Sequence, residues 1–305
     1  MDFTKKFNVG LTLGTTERKF DAFLSEYAPL INQIYFSPPL GDKFHSRAKV
    51  YEQFSRAARE RLFWKLLKVA QKHKVNLEVV LNTYMLDEDS VKKTAELLQE
   101  HGVELNSVCC IDKYYPFATK YFPGKEYVYS YNNGVLTEKK LDFIKGKYDY
   151  IVVGSANIRN NDLFAKIKET GAKVILLLNN GCSFNCPSCA ASANCKNLFE
   201  TNLKTHSLDY LYAQQSLMPF ELYDGTVNTA CVDLYKTSNR SSDLKYLKRV
   251  IDSYVNNEYE GYLKKSTSDF ALWAKLSHFY PFTRLDIDKI LEYKKQITGK
   301  DHTQK

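Results

Sequence analysis

The sequence predicts an α/β protein, a single (β/α)8 TIM-like barrel with a C-terminal helical extension. Three observations lead there. Eight short apolar runs alternate with segments of helical periodicity. The 305 residues and 44% hydrophobic content suit one large α/β unit with a substantial core. No low-complexity linker divides the chain, and no internal repeat longer than a βα unit is visible. The barrel is expected over residues 1–263 and the extension over 264–305. An open doubly wound sheet is the alternative arrangement of the same units.

The elements follow in order. The first strand is read at Asn8 to Leu13, followed by a helix from Glu17 to Leu30. A second strand, Gln33 to Ser37, stops at Pro38-Pro39, which can extend neither a ladder nor a helix. Phe54, Leu62, Leu66, Leu67 and Ala70 give the segment from Arg47 to His73 helical spacing. Strand three is Leu77 to Tyr84, and Asp87 opens a helix that stops at Gly102. Strand four, Ser107 to Ile111, holds Cys109 and Cys110, expected as buried, inert thiols.

Strand five, Tyr127 to Tyr131, closes on the turn signal Asn132-Asn133-Gly134. A short helix is read at Thr137 to Ile144, strand six at Tyr150 to Gly154, and a helix at Asp162 to Thr170. Strand seven is Val174 to Leu178. Strand eight, Val232 to Tyr235, leads into a helix from Asp243 to Val255. The tail from Asp286, ending KDHTQK, reads as a final helix with a frayed end.

In such a barrel the active site is built at the C-terminal ends of the strands. The polar residues there are Asn82, Asp112, Asn132, Ser155, Asn179 and Lys236. Each serves either as a cap or turn residue or as part of a ligand-holding mouth.

Net charge is +8. It is compatible with RNA or an anionic substrate, but the basic residues are scattered and form no concentrated arm. The longest apolar run is much shorter than a membrane span, so no membrane partner is expected. The chain begins MDFTKKFNVG, with no apolar signal region, and the expected compartment is the cytoplasm.

Chemistry concentrates after strand seven. Cys182, Cys186, Cys189 and Cys195 fall within fourteen residues, spaced C-x3-C-x2-C-x5-C. One short loop can wrap these thiolates around an ion or cluster at little closure entropy. Thiolates are soft ligands that select zinc or iron–sulfur. In a reducing compartment a disulfide reading gives way to a metal. Only Cys186-Pro-Ser-Cys189 has the knuckle form usual in structural zinc sites, so the spacing favours a [4Fe–4S] cluster, with zinc as the alternative. The fourth ligand is read as Cys195, nearest in sequence, with Cys231 as its competitor. Asn179 and Asn180 either bond cluster sulfurs or shape the turn.

Two stretches resemble a known family. LLLNNGCSFNCPSC is similar to the strand-seven segment of the collagenase-like peptidase family U-32 and its relatives, where Asn-x-x-Cys-x3-Cys-Pro follows an apolar strand. VDLYKTSNRSSDLKYLKRVIDSYVNNEYEGYL resembles their strand-eight segment, with Lys236 and Arg240 at the Lys and Arg positions. The resemblance implies a TIM-like barrel with an oxygen-sensitive [4Fe–4S] cluster. It also implies hydroxylation of RNA bases, oxygen-independent hydroxylation of quinones or, by older naming, collagen degradation.

The sequence holds neither G-x-S-x-G nor H-E-x-x-H, so a proteolytic centre has no recognised motif. The expected activity is a redox-type modification of a small molecule or RNA base, served by an electron donor. C-x3-C-x2-C is also the triad of radical S-adenosylmethionine enzymes. That motif usually follows the first strand and carries an aromatic where Ser188 stands here. A non-catalytic scaffold held by zinc or a cluster is the remaining reading. Lys236 and Arg240 are the catalytic candidates, set to bind an anionic substrate, to tune the cluster, or to form an ion pair at the mouth.

Overall fold

The computed structural model describes residues 1–4, 6–38, 40, 56–82, 86–133, 136–154, 157–178, 217, 219–237 and 244–257. Eight parallel strands close into a barrel in sequence order. They are β1 (Phe7–Gly10), β2 (Ile31–Phe36), β3 (Asn76–Leu81), β4 (Ser107–Cys110), β5 (Glu126–Tyr129), β6 (Tyr150–Val153), β7 (Lys173–Leu177) and β8 (Leu234–Lys236). Closure runs through β1 and β8, where Phe7 pairs with Tyr235 and Asn8 with Lys236. The doubly wound alternative is excluded, because an open sheet would leave both of those strands as edges.

The described helices are α1 (Glu17–Tyr27), α2 (Arg56–Lys72), α3 (Glu88–Glu100), α4 (Tyr115–Tyr121), α5 (Glu138–Ile144), α6 (Asn161–Glu169) and α7 (Leu244–Asn256). Their starts have local causes. Thr16, Asp87, Thr137 and Asn160 each accept a hydrogen bond from a first-turn backbone N–H. Each such cap is worth about 1 kcal/mol. Gly102, just beyond α3, has φ +58°, a left-handed turn that favours glycine. None of the described helices is long and apolar enough to cross a membrane.

The structure moves some expected boundaries. β8 begins two residues later than expected and includes Lys236. Helix α4 was not anticipated. Its seven residues are too few to establish a helical period, and Pro116 sits in its first turn, where a missing N–H does no harm. The expected C-terminal extension lies outside the described residues.

Strand alternation divides the core in two. On β3, Leu77, Val79 and Leu81 pack outward under the helices, in one large apolar layer. Val80 points inward with Cys109, Val128, Val152, Ile175 and Leu177, which fill the barrel. Residues 219–233 run between β7 and β8 against α6 and α7, and polar contacts tie them down. Arg159 Nε and Nη2 donate to the two Glu221 oxygens at 2.9 and 2.8 Å, and Glu221 is fully buried. Asn161 donates to Thr226 O and accepts from Asn228 N.

Replacing Arg159 with Met removes the guanidinium from the buried Glu221 carboxylate. The expected loss is about 3–5 kcal/mol, read as a lower urea midpoint with an unchanged denaturant slope.

Candidate functional site

The inward positions near β1 to β4 and β8 break the apolar pattern of the barrel filling. They are Asn8, Gln33, Glu78, Ser107 and Lys236, all buried. Glu78 is wholly enclosed, so its charge requires partners. Lys236 Nζ lies 2.6 Å from Glu78 Oε1, and Gln33 Nε2 donates to Glu78 Oε2 at 2.8 Å. Ser107 Oγ in turn donates to Gln33 Oε1 at 3.2 Å. The Lys236 ammonium also stands 4.2 Å from the centre of the Tyr35 ring, a cation–π contact. Tyr35 is held in turn by its hydroxyl, which donates to Thr237 O at 2.5 Å.

Burial works against the charge on Lys236. The Glu78 carboxylate outweighs it, with help from Cys109 and Tyr35, and holds the ammonium above the ordinary lysine range. A raised lysine pKa stabilises the fold at all pH values below that ordinary range. The contribution is lost only as pH climbs beyond it. Lys236 is therefore a permanent cation and N–H donor near neutral pH.

Of the ion pair, only Lys236 reaches the surface, its side chain 9% exposed against 0% for Glu78. It ends β8, at the C-terminal mouth. Leu178, which follows β7, donates its N–H to Lys236 O at 2.9 Å. Leu217 N donates to Leu178 O at 2.8 Å, so the two described residues that flank 179–216 meet at one point. Tyr254 of α7, fully buried, fastens this stem, its hydroxyl within 2.7 Å of Leu217 O and 3.3 Å of Leu178 O.

That stem carries the cysteine loop. Cys182, Cys186, Cys189, Cys195, Asn179 and Asn180 lie outside the described residues, as do Arg240 and Ser155. Among the described residues no group of three or more His, Cys, Asp or Glu could hold a metal. Cys231 is placed in a short turn before β8, and its sulfur accepts from Asn228 Nδ2.

The other mouth candidates do structural work. Asp112 pairs with Lys140 and accepts from Tyr148 OH at 3.1 Å. Asn132 Nδ2 donates to Asn82 O at 3.2 Å, joining two strand ends. Cys109 and Cys110 are buried as expected. Burial pushes the Cys109 thiol up to about 12 and raises Cys110 as well.

Glu78, Gln33 and Asn8 were not singled out from the sequence. Their signal was nevertheless present: FNVG, INQIYF and NLEVVL each place a polar residue (Asn8, Gln33 and Glu78) at an inward position of a largely apolar strand.

Fold and site together define a parallel eight-stranded α/β barrel whose lumen is partly polar, with Lys236 at the C-terminal end of β8. The chain is similar to U32-type peptidases. An uncharacterized protease of Methanocaldococcus jannaschii is 26% identical over 161 residues, 47% of this chain and 46% of that protein. The chain thus spans about half the length of that curated relative. A solved structure of a U32 peptidase superposes with TM-score 0.49 at 14% identity, covering 77% of this chain and 93% of its own. A conserved Enterococcus faecalis protein of unknown function gives TM-score 0.44 at 13% identity, over 83% of this chain and 67% of its own. No family model matches the chain.

Two outcomes follow from the buried charges and thiols. Lys236→Met alone should destabilise by about 3–5 kcal/mol, whereas Lys236→Met with Glu78→Gln should recover most of that in urea titrations. In native protein at pH 8, iodoacetamide followed by mass spectrometry should leave Cys109 and Cys110 unlabelled. Both should label once the chain is unfolded.

Proposed function

We propose that this chain is a U32-like iron–sulfur protein that modifies a small molecule or an RNA base by oxygen-independent hydroxylation at the barrel mouth. The observation that carries the reading is the closed stem at Leu178 and Leu217. Leu178 and Leu217, which flank the segment bearing all four cysteines, meet beside Lys236, and this supports a site shared by the cysteines and Lys236. Four thiols within fourteen residues are a donor set that suits a [4Fe–4S] cluster. Cys182, Cys186, Cys189 and Cys195 would hold it, and Cys195 is preferred to Cys231 because it is nearest in sequence to the other three. The cluster, when bound, would pass electrons one at a time between the substrate and an external redox partner. A hydroxyl taken from water releases two electrons and two protons, which an electron-accepting co-substrate must take up.

The chain's own residues prepare the site for substrate. Lys236 stays charged and offers N–H groups at the mouth, held in place by Glu78 and the Tyr35 ring. Glu78 is itself fixed by Gln33, so the donor is pre-oriented before a substrate arrives. Arg240 and the asparagines 179 and 180 complete the site in this reading. The radical S-adenosylmethionine alternative is disfavoured by position, since its triad would follow β7 rather than the first strand.

The test is metal analysis after anaerobic purification. About four irons and four sulfides per chain, with visible absorbance that bleaches in air, are expected. One zinc without sulfide would reduce the loop to a structural module and remove the redox reading. Tyr254→Phe should keep the fold but shed iron faster under chelator challenge, because the loop stem loses its shared donor.

A further inference from the structure

One donor in the lumen has no acceptor. Asn8 is fully buried, and its Oδ1 accepts from Asn32 Nδ2 at 3.0 Å, yet its Nδ2 is unpartnered. A buried amide N–H left unmade is costly, so its presence calls for an acceptor supplied from outside the described contacts. The neighbour of Asn8 is informative. Parallel pairing sets Asn8 directly beside Lys236, with both side chains turned into the lumen. Lys236 carries three N–H groups, and Glu78 Oε1 accepts one of them. The next inward position above Asn8 on β1 is Gly10, which has no side chain to close the way up to the mouth.

We propose that Asn8 Nδ2 and Lys236 Nζ form a two-donor subsite for a neutral carbonyl oxygen of the substrate. Charge decides between a carbonyl and a carboxylate. Lys236 is already balanced by Glu78, and both oxygens of Glu78 are engaged, so an incoming carboxylate would be a second anion in a site with one cation. A carbonyl oxygen satisfies the amide without adding charge. It would also be polarised by the two N–H groups, favouring electron density moving onto that oxygen.

The inference rests on the reading that substrate binds at this mouth, and not on which metal the cysteines hold. Iron content reports on the cluster, and the following titration reports on the subsite alone. Cyclopentanone labelled with carbon-13 at the carbonyl is titrated into the purified full-length chain and followed by NMR. Saturable binding with a downfield carbonyl shift is expected, together with movement of the Asn8 side-chain amide resonances. Asn8→Asp and Asn8→Ala, each checked for an intact fold by thermal denaturation, should weaken binding about tenfold or more. Acetate should compete poorly. The proposal is overturned by an unsaturable response, by Asn8 resonances that do not move, by unchanged affinity in either folded variant, or by acetate binding more tightly than the ketone.

Discussion

The Lys236–Glu78 ion pair is the constraint on which the centre of this molecule depends. A carboxylate with no solvent exposure cannot stand alone, and Lys236 is the cation in direct contact with it. The pair spans the lumen from β8 to β3. Gln33 on β2 and Ser107 on β4 complete the network, so four strands are tied by polar contacts inside a barrel otherwise filled by apolar side chains. An apolar filling of the same volume would serve stability as well or better. Keeping a charged pair there is understood if Lys236 must remain a fixed, charged donor at the mouth.

The second organising contact is the stem of the cysteine loop. A long insertion between β7 and β8 adds little closure entropy if its ends are pinned together. Here the Leu217–Leu178 hydrogen bond pins them, and Tyr254 reaches from α7 to both carbonyls. Helix α7 is itself locked to the start of the barrel, since Tyr27 OH donates to Asp252 and Lys248 pairs with Glu26. The loop base is thus braced by elements from both ends of the described chain. Residues 219–233 then return along α6 under the Arg159–Glu221 clamp and deliver β8, with Lys236 at its tip.

Much of this was legible in the sequence for physical reasons. Strand and helix segments declare themselves by period, and capping residues such as Asp87 and Thr137 mark helix starts. Lys236 stood out because a charged residue ends an apolar strand, and the ion pair considered for it is present. Glu78 was harder to see. A carboxylate inside NLEVVL looks like one more strand residue until closure brings β8 across to face it. Contacts between residues 158 positions apart, as in that pair, leave no local periodicity. Asn8 was hidden for the same reason, its meaning arising only when β1 and β8 join. Helix α4 was missed because seven residues cannot establish a period.

In the proposed function the cluster and Lys236 would share one mouth of the barrel. An anomalous difference map at the iron absorption edge, from crystals grown anaerobically, tests it most directly. The account predicts a single strong iron peak at the C-terminal end of the barrel, above Lys236 and next to the Leu178–Leu217 stem. Iron at the opposite end of the barrel, or no iron at all, would contradict it.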